Sequence, residues 1–530
     1  MIDVISTLDY AVFAGYIGFI VIIGTYLGKQ KGGSKNAKTY FLAGNSLPWW
    51  AVGTGMIAAN ISAEQLIGTT GSGYAMGIAI SSWEWVAIPA ILLAAKYTVP
   101  YFIKHNILTM PQFLEQRYDS RIRTLFAAFW VVVYVFINLT AVSYMGALAL
   151  QSIMGIPLGY GIVGMMAIAL LYSFVGGFAS IAWTNFIQVT VLVIAGLITT
   201  WLAMEAVTEH LQTDSIWHSL AIMKDTAPEH MSIAISEDNP NFQYIPGGRT
   251  LVGGMWVICI FGWCFNQFIV QNTLAAKNTR EAQKGLLFAA ILKLFMPIIL
   301  VIPGIAAYIL TKDTQLLTPA DKAYPWLINN FIPTGVKGIV LAALAAAIIS
   351  TLSALLNSAA TLFTVDIYQA RLRPKATDKE SMFAAKVFML TSACLSAALA
   401  QPMLVGMDQA YQFIQEFIGF VMPGMLTIFL FGILWVKATS NGAIIALFLS
   451  VAASLVIRLA LPDLPHLDRT GIVFLICSGA MLMSCIKAPN LTINGLVIDL
   501  KDSVYRTSRE FNIGGLLLIG SLFTIYWKLW

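Results

Sequence analysis

Fourteen stretches of the chain are apolar over a length that crosses about 30 Å of hydrocarbon when helical, at 1.5 Å per residue. They lie near 7–28, 48–70, 74–104, 121–153, 157–175, 180–206, 250–271, 283–311, 337–365, 382–401, 407–435, 440–460, 469–486 and 512–528. None shows the ten-residue alternation of a transmembrane β-strand. Five lie between 48 and 206, a polar stretch with Glu209, Asp214, Glu229, Glu237 and Asp238 follows, and five more lie between 250 and 435. An odd number per unit sends consecutive units into the bilayer from opposite sides, the geometry of an inverted repeat. The expected division is an extra helix and loop over 1–47, a five-helix unit over 48–206, a loop over 207–249, a second unit over 250–435, and three further helices over 436–530.

The first helix of each such unit is typically interrupted near the midplane. In the first unit Asn60, Ser62, Glu64 and Gln65 break an apolar run; in the second, Gly262 is the expected point of release, although a membrane glycine is more often a packing residue. Unwound carbonyls and the negative end of a half-helix can hold a small cation. The ninth span offers Ser350 and Thr351 as hydroxyl ligands of the hard type, against the ordinary alternative that such hydroxyls bond back to their own helix.

With 530 residues, 58% hydrophobic and 11% charged, and mean hydropathy +0.77, the chain is an all-α polytopic membrane protein rather than a soluble enzyme. If the N-terminus is outside, the inside loops hold Lys29, Lys31, Lys35, Lys38, Lys104, Arg117, Arg121, Arg123, Arg371 and Arg373 among others, about three basic residues for each one outside. That bias places both ends outside, accounts for the net charge of +5, and suggests no nucleic-acid partner. The first span lacks a basic n-region and is expected to stay as an anchor. Cys259, Cys264, Cys394, Cys477 and Cys485 fall in or beside apolar spans and read as packing residues rather than a disulfide framework.

Charge inside the spans is the sharpest signal. Lys293 sits deep in an apolar stretch, where a lysine costs roughly 2.5 kcal/mol or more. Glu84 is the comparable acid, and the two together point to a polar site inside the bundle, a purely structural ion pair being the alternative. All five histidines read as loop residues and no His-Glu-x-x-His helix occurs, which argues against a membrane metalloprotease; Gly32–Thr39 approaches a P-loop but has Ala37 where its second glycine belongs. The chain is not expected to be an enzyme. A channel would lack a fixed ion-to-solute stoichiometry.

Ala59-Asn60-Ile61-Ser62-Ala63-Glu64-Gln65, Gly71-Ser72-Gly73-Tyr74, Phe265-Asn266-Gln267, Leu274-Ala275-Ala276-Lys277, Asn357 through Tyr368 and Tyr411-Gln412-Phe413-Ile414-Gln415-Glu416 resemble the sodium:solute symporter family, closest to its sodium/glucose and sodium/galactose cotransporters, from about Tyr40 to about Gly442. The resemblance implies fourteen transmembrane helices with a LeuT-like core of two inverted five-helix repeats, in a plasma membrane such as the bacterial inner membrane, with Na⁺ as coupling ion and a monosaccharide as solute. It implies a sugar site lined by Asn60, Gln65, Glu84, Lys293 and Gln415, with Trp83, Cys259, Gly262, Trp263 and Tyr411 beside them. It implies a sodium site from the carbonyls of Ala58, Ile61 and Ala347 and the hydroxyls of Ser350 and Thr351.

The chemistry suits a sugar: Glu84 and Gln65 accept, Lys293, Asn60 and Gln415 donate, and Trp83 and Trp263 cover an apolar C–H face. A sugar acid or polyol is the alternative solute, since Lys293 would pair with a carboxylate if Glu84 did not neutralise it. Cys259, Ala87, Gly262 and Trp83 stand where galactose-transporting bacterial members have asparagine, serine, tyrosine and tyrosine, and Asn185 stands where the family has an acid. These departures predict a reshaped pocket, with the larger Trp83 ring in the room freed at Gly262.

Overall fold

The computed structural model describes residues 6–32, 45–61, 63–314, 317–405, 410–486 and 497–530. In hydrocarbon a chain must satisfy its backbone polar groups internally, which selects helix for apolar spans. The described residues of all fourteen expected stretches are mainly helical. In chain order the principal helices are α1 (Thr7–Gly32), α2 (Trp49–Asn60), α3 (Ala63–Met76), α4 (Ser82–Leu93), α5 (Met110–Arg117), α6 (Ser120–Val132), α7 (Thr140–Met154), α8 (Leu158–His210), α9 (Gly254–Cys264), α10 (Gln267–Leu274), α11 (Thr279–Leu300), α12 (Ile302–Thr311), α13 (Val336–Thr361), α14 (Asp378–Leu404), α15 (Ala410–Gly419), α16 (Met422–Leu434), α17 (Ser440–Ala460), α18 (His466–Ile486) and α19 (Arg509–Leu529). Nine helical spans among the described residues are long and apolar enough to cross a membrane, or ten with the bent pair Pro240–Leu251 and Gly254–Cys264. The fourteen-span reading also needs the shorter and broken pieces.

α13 is the axis of the bundle: every residue from Val340 to Thr361 is buried. Its amino end is capped from another helix, because Asp9 of α1 accepts from the backbone N–H groups of Gly335 and Gly338 at 2.7 and 2.8 Å. The outer helices are the reverse, with Phe383 on α14, Leu459 on α17 and Leu516, Phe523 and Trp527 on α19 all exposed, as lipid-facing surfaces are.

Lys104, Arg117, Arg121, Arg123, Arg371 and Arg373 mark one end of the bundle, the basic end. There Arg117 closes the last turn of α16 by donating to the carbonyls of Gly432 at 2.7 Å and Trp435 at 2.6 Å. The start of α2 and the end of α10 also meet, through Leu47 N–H to Ala275 O at 3.1 Å and Lys277 N–H to Leu47 O at 3.0 Å. The entry to the first broken helix is thereby tied to the exit of the second.

The spans expected at 157–175 and 180–206 lie in one helical run, Leu158–His210, about 80 Å of α-helix and long enough for two crossings. Two expectations are corrected. The second break lies at Phe265–Asn266 rather than at Gly262, which stays inside α9. Cys394 is exposed on α14 and is not a packing residue.

Close helix approach is set by small residues. A Cβ on Gly304 of α12 would lie 2.1 Å from Thr70 O and 2.7 Å from Tyr74 N on α3, backbone atoms that cannot rotate away. Gly304→Ala is expected to destabilise the protein by about 1–3 kcal/mol, read as a lowered apparent Tm in detergent, whereas Gly479→Ala, with open space around its Cβ position, should leave Tm unchanged.

Candidate functional site

The two helix breaks are local consequences of sequence. α2 ends where Ile61 turns extended, at φ −82° and ψ 90°, beside the polar run from Asn60. α9 ends at Phe265, and Asn266 then caps α10, its Oδ1 accepting from Phe268 N–H at 3.0 Å and from the Tyr134 hydroxyl at 2.7 Å. Residues at both breaks line one cavity of about 170 Å³.

Its polar centre is the Lys293–Glu84 pair. Glu84 Oε2 accepts from Lys293 Nζ at 2.6 Å, and Oε1 accepts from Gln65 Nε2 at 2.6 Å. Lys293 also donates to Asn60 Oδ1, and its ammonium lies 5.1 Å from the Trp263 ring centroid, a cation–π contact. Both charged residues are 1% exposed. Four helices thus converge on one neutralised pair: α2 with Asn60, α3 with Gln65, α4 with Glu84 and α11 with Lys293.

Around the pair, Trp83, Cys259, Gly262, Trp263 and Gln415 also line the cavity. A Cβ on Gly262 would meet nothing within 4 Å, and Trp83 lines the same cavity. The Trp83 ring lies nearly parallel to that of His466, at 12° and 6.5 Å between centroids. His466 is therefore not a loop residue but the buried first residue of α18. Gln415 arrives from α15, whose Glu416 accepts from Arg469 of α18 at 2.9 Å. The Tyr411 and Asn185 side chains lie outside those described.

A matching sequence profile, that of the sodium:solute symporter family, covers residues 40–450. The chain belongs to the sodium:solute symporter family. It is 42% identical, over 99% of both chains, to a sodium/glucose cotransporter of Vibrio parahaemolyticus. It is 31% identical to the human sodium/myo-inositol cotransporter 2, over 82% of this chain and 67% of that one. The fold is also that of a Na⁺-coupled sialic acid symporter in its substrate-bound outward-open state, with TM-score 0.78 and 23% identity over 91% of this chain and 98% of the other.

Of the expected cation ligands, Thr351 and Ala58 meet at the first break. Thr351 Oγ1 of α13 reaches across to Ala58 O of α2 at 3.4 Å, and Ala347 lies one turn earlier. Ser353, two residues on, behaves as membrane hydroxyls ordinarily do and donates to Ile349 O of its own helix at 2.7 Å. Ser350 is buried beside Thr351, and Ile61 supplies a carbonyl from the extended residue at the break. Neutral carbonyl and hydroxyl oxygens suit a hard, weakly held cation, and no cluster of His, Cys, Asp or Glu suited to a transition metal occurs among the described residues.

Asn138 escaped the sequence reading, and Asn266 and His466 were given no place in the site. Asn138 projects into the cavity from a π-helical stretch, Val133–Leu139, and its Oδ1 has no partner among the described residues. A lone amide within the apolar run Val133–Leu139 was a usable signal; nothing local marks His466 as a neighbour of Trp83.

Removing one member of a buried pair leaves the other uncompensated, at about 3–5 kcal/mol. Glu84→Gln and Lys293→Ala are each expected to cut uptake more than tenfold with protein still present in the membrane. The double change Glu84→Gln with Lys293→Met should stay inactive. Near wild-type uptake by the double variant would make the pair purely structural.

Proposed function

We propose that the protein is a Na⁺-coupled secondary active symporter that imports a neutral monosaccharide by alternating access, through a LeuT-like core of two inverted five-helix repeats within fourteen spans. The neutralised Lys293–Glu84 pair at the helix breaks carries this reading. A site holding a free lysine would favour a sugar acid, but here Glu84 accepts the lysine at 2.6 Å. What remains is a ring of acceptors and donors from Gln65, Asn60, Glu84, Lys293 and Gln415, next to the faces of Trp83 and Trp263, which matches a hydroxyl-rich ring with an apolar face. A monosaccharide is also what the 42%-identical relative is named for.

Sodium would bind between Ala58 and Ile61 of α2 and Ala347, Ser350 and Thr351 of α13. An ion shared by these helices favours the conformation in which they touch, so coupling is a difference in affinity between two states. A tenfold gradient and about 100 mV together supply about 3.7 kcal/mol per ion, enough for a few hundredfold accumulation of a neutral solute at one ion per cycle. By the positive-inside rule the basic end faces the cytoplasm and both chain ends face outward, as in a bacterial inner membrane.

In proteoliposomes an imposed inward sodium gradient should drive accumulation of a hexose above its external concentration, with potassium unable to replace sodium. Equilibration without accumulation would indicate a channel or uniporter. Ser350→Ala and Thr351→Ala should each raise the sodium concentration for half-maximal uptake several-fold; sodium activation curves identical to wild type in both would reject this ion site.

A further inference from the structure

Beyond Thr351 toward the basic end, α13 and its π-helical continuation, Leu362–Leu372, carry polar side chains where a buried membrane helix is ordinarily apolar. Asn357, Ser358, Thr361, Thr364 and Asp366 are all at most 2% exposed. Part of this set is bonded. Ser358 Oγ donates to Gln271 Oε1 of α10 at 3.0 Å, and Thr361 Oγ1 donates to Asn357 O at 2.7 Å. Asp366 Oδ1 accepts from Thr109 at 3.0 Å and from Arg123 at 2.8 Å.

The rest of the set is unpaired. Both amide atoms of Asn357, the Thr364 hydroxyl and Asp366 Oδ2, together with Asn272 Oδ1 and Gln267 Nε2 on α10, have no hydrogen-bond partner among the described residues. Buried polar atoms are paired in the large majority of cases, and a concentration of exceptions asks for an occupant that another state of the molecule supplies. Their placement is directional. Ser350, Asn357 and Thr361 recur at the seven- and four-residue spacings that share a helix face, and the rise from Thr351 to Thr364 is about 20 Å, comparable with the ~15 Å from midplane to hydrocarbon edge. Hydrogen bonds mark the flank: α2 at Thr351, α10 at Ser358, and the start of α5 with α6 at Asp366.

We propose that Asn357 and Thr364, buried and unpaired on α13 and its continuation, form a relay site for sodium between the pocket at Ala58 and Thr351 and the basic end. Asn357 Oδ1 and Thr364 Oγ1 stand in turn for lost hydration oxygens. Neutral ligands in series bind a small cation well enough to admit it and weakly enough to release it. At the far end Asp366 is already paired with Arg123, which also holds Glu115 at 2.5 Å, so a departing ion meets a compensated acid rather than a trap.

This inference rests on the symport reading, and its test separates the two. Asn357→Leu and the near-isosteric Thr364→Val are compared with wild type in two proteoliposome assays: net hexose uptake driven by a sodium gradient, which requires sodium to leave, and labelled-hexose exchange with saturating sodium on both sides, which does not. Net uptake is expected to fall tenfold or more in each variant while exchange stays within twofold of wild type. Parallel loss of both activities would make these residues packing elements and overturn the relay, as would unchanged net uptake. Sodium-independent uptake by the wild-type protein would remove the symport reading and the relay with it.

Discussion

An ammonium and a carboxylate cannot each stand alone in the apolar middle of a helical bundle, and much of the site's architecture follows from that constraint. Lys293 and Glu84 lie on α11 and α4 and meet at 2.6 Å. The pair alone leaves hydrogen-bonding capacity unspent, because a carboxylate accepts through two oxygens and an ammonium donates three protons. Gln65 takes the second carboxylate oxygen and Asn60 one further ammonium proton. Both amides come from the interrupted α2/α3 segment, so the pair fixes that segment's position against the rest of the bundle. What is left of the pair's capacity faces the cavity, where solute hydroxyls can use it.

The same break holds the proposed ion ligands. A helix that ends at Asn60 leaves carbonyls of its last turn without intrahelical partners, and Thr351 of the buried α13 approaches one of them, Ala58 O, at 3.4 Å. The proposed ion and solute ligands are thus only residues apart at the end of α2, with Ala58 and Ile61 on one side of the problem and Asn60 on the other. A change in the spacing of α2 and α13 alters both sites at once, and this shared element is the physical basis for coupling. α18 adds a brace, through His466 against Trp83 and Arg469 against Glu416.

Legibility in the sequence followed the size of the energetic signal. A charge within hydrocarbon is costly enough that Lys293 and Glu84 stood out unaided, and four polar side chains in the run around Asn60 marked the first break. The second was misplaced because a glycine merely permits a helix to end, whereas Asn266 ends one by capping the next through its own side chain, reinforced by Tyr134. Helix continuity through 158–210 was hidden because span length was read from hydropathy, which marks membrane depth but not where the backbone keeps its helical bonds. The His466 contact is purely tertiary. The resemblance to known symporters supplied the ligand roles, which spacing alone left open.

The most direct test of the central claim, that Glu84 neutralises Lys293 so that the site selects an uncharged polyhydroxyl ring, is calorimetric titration of the purified protein in sodium with a hexose and with the uronic acid of the same ring. The neutral sugar should bind at least tenfold more tightly than the uronate. Equal or tighter binding of the uronate would contradict the account, because it would mean that Lys293 is available to a carboxylate and that the pair is not closed.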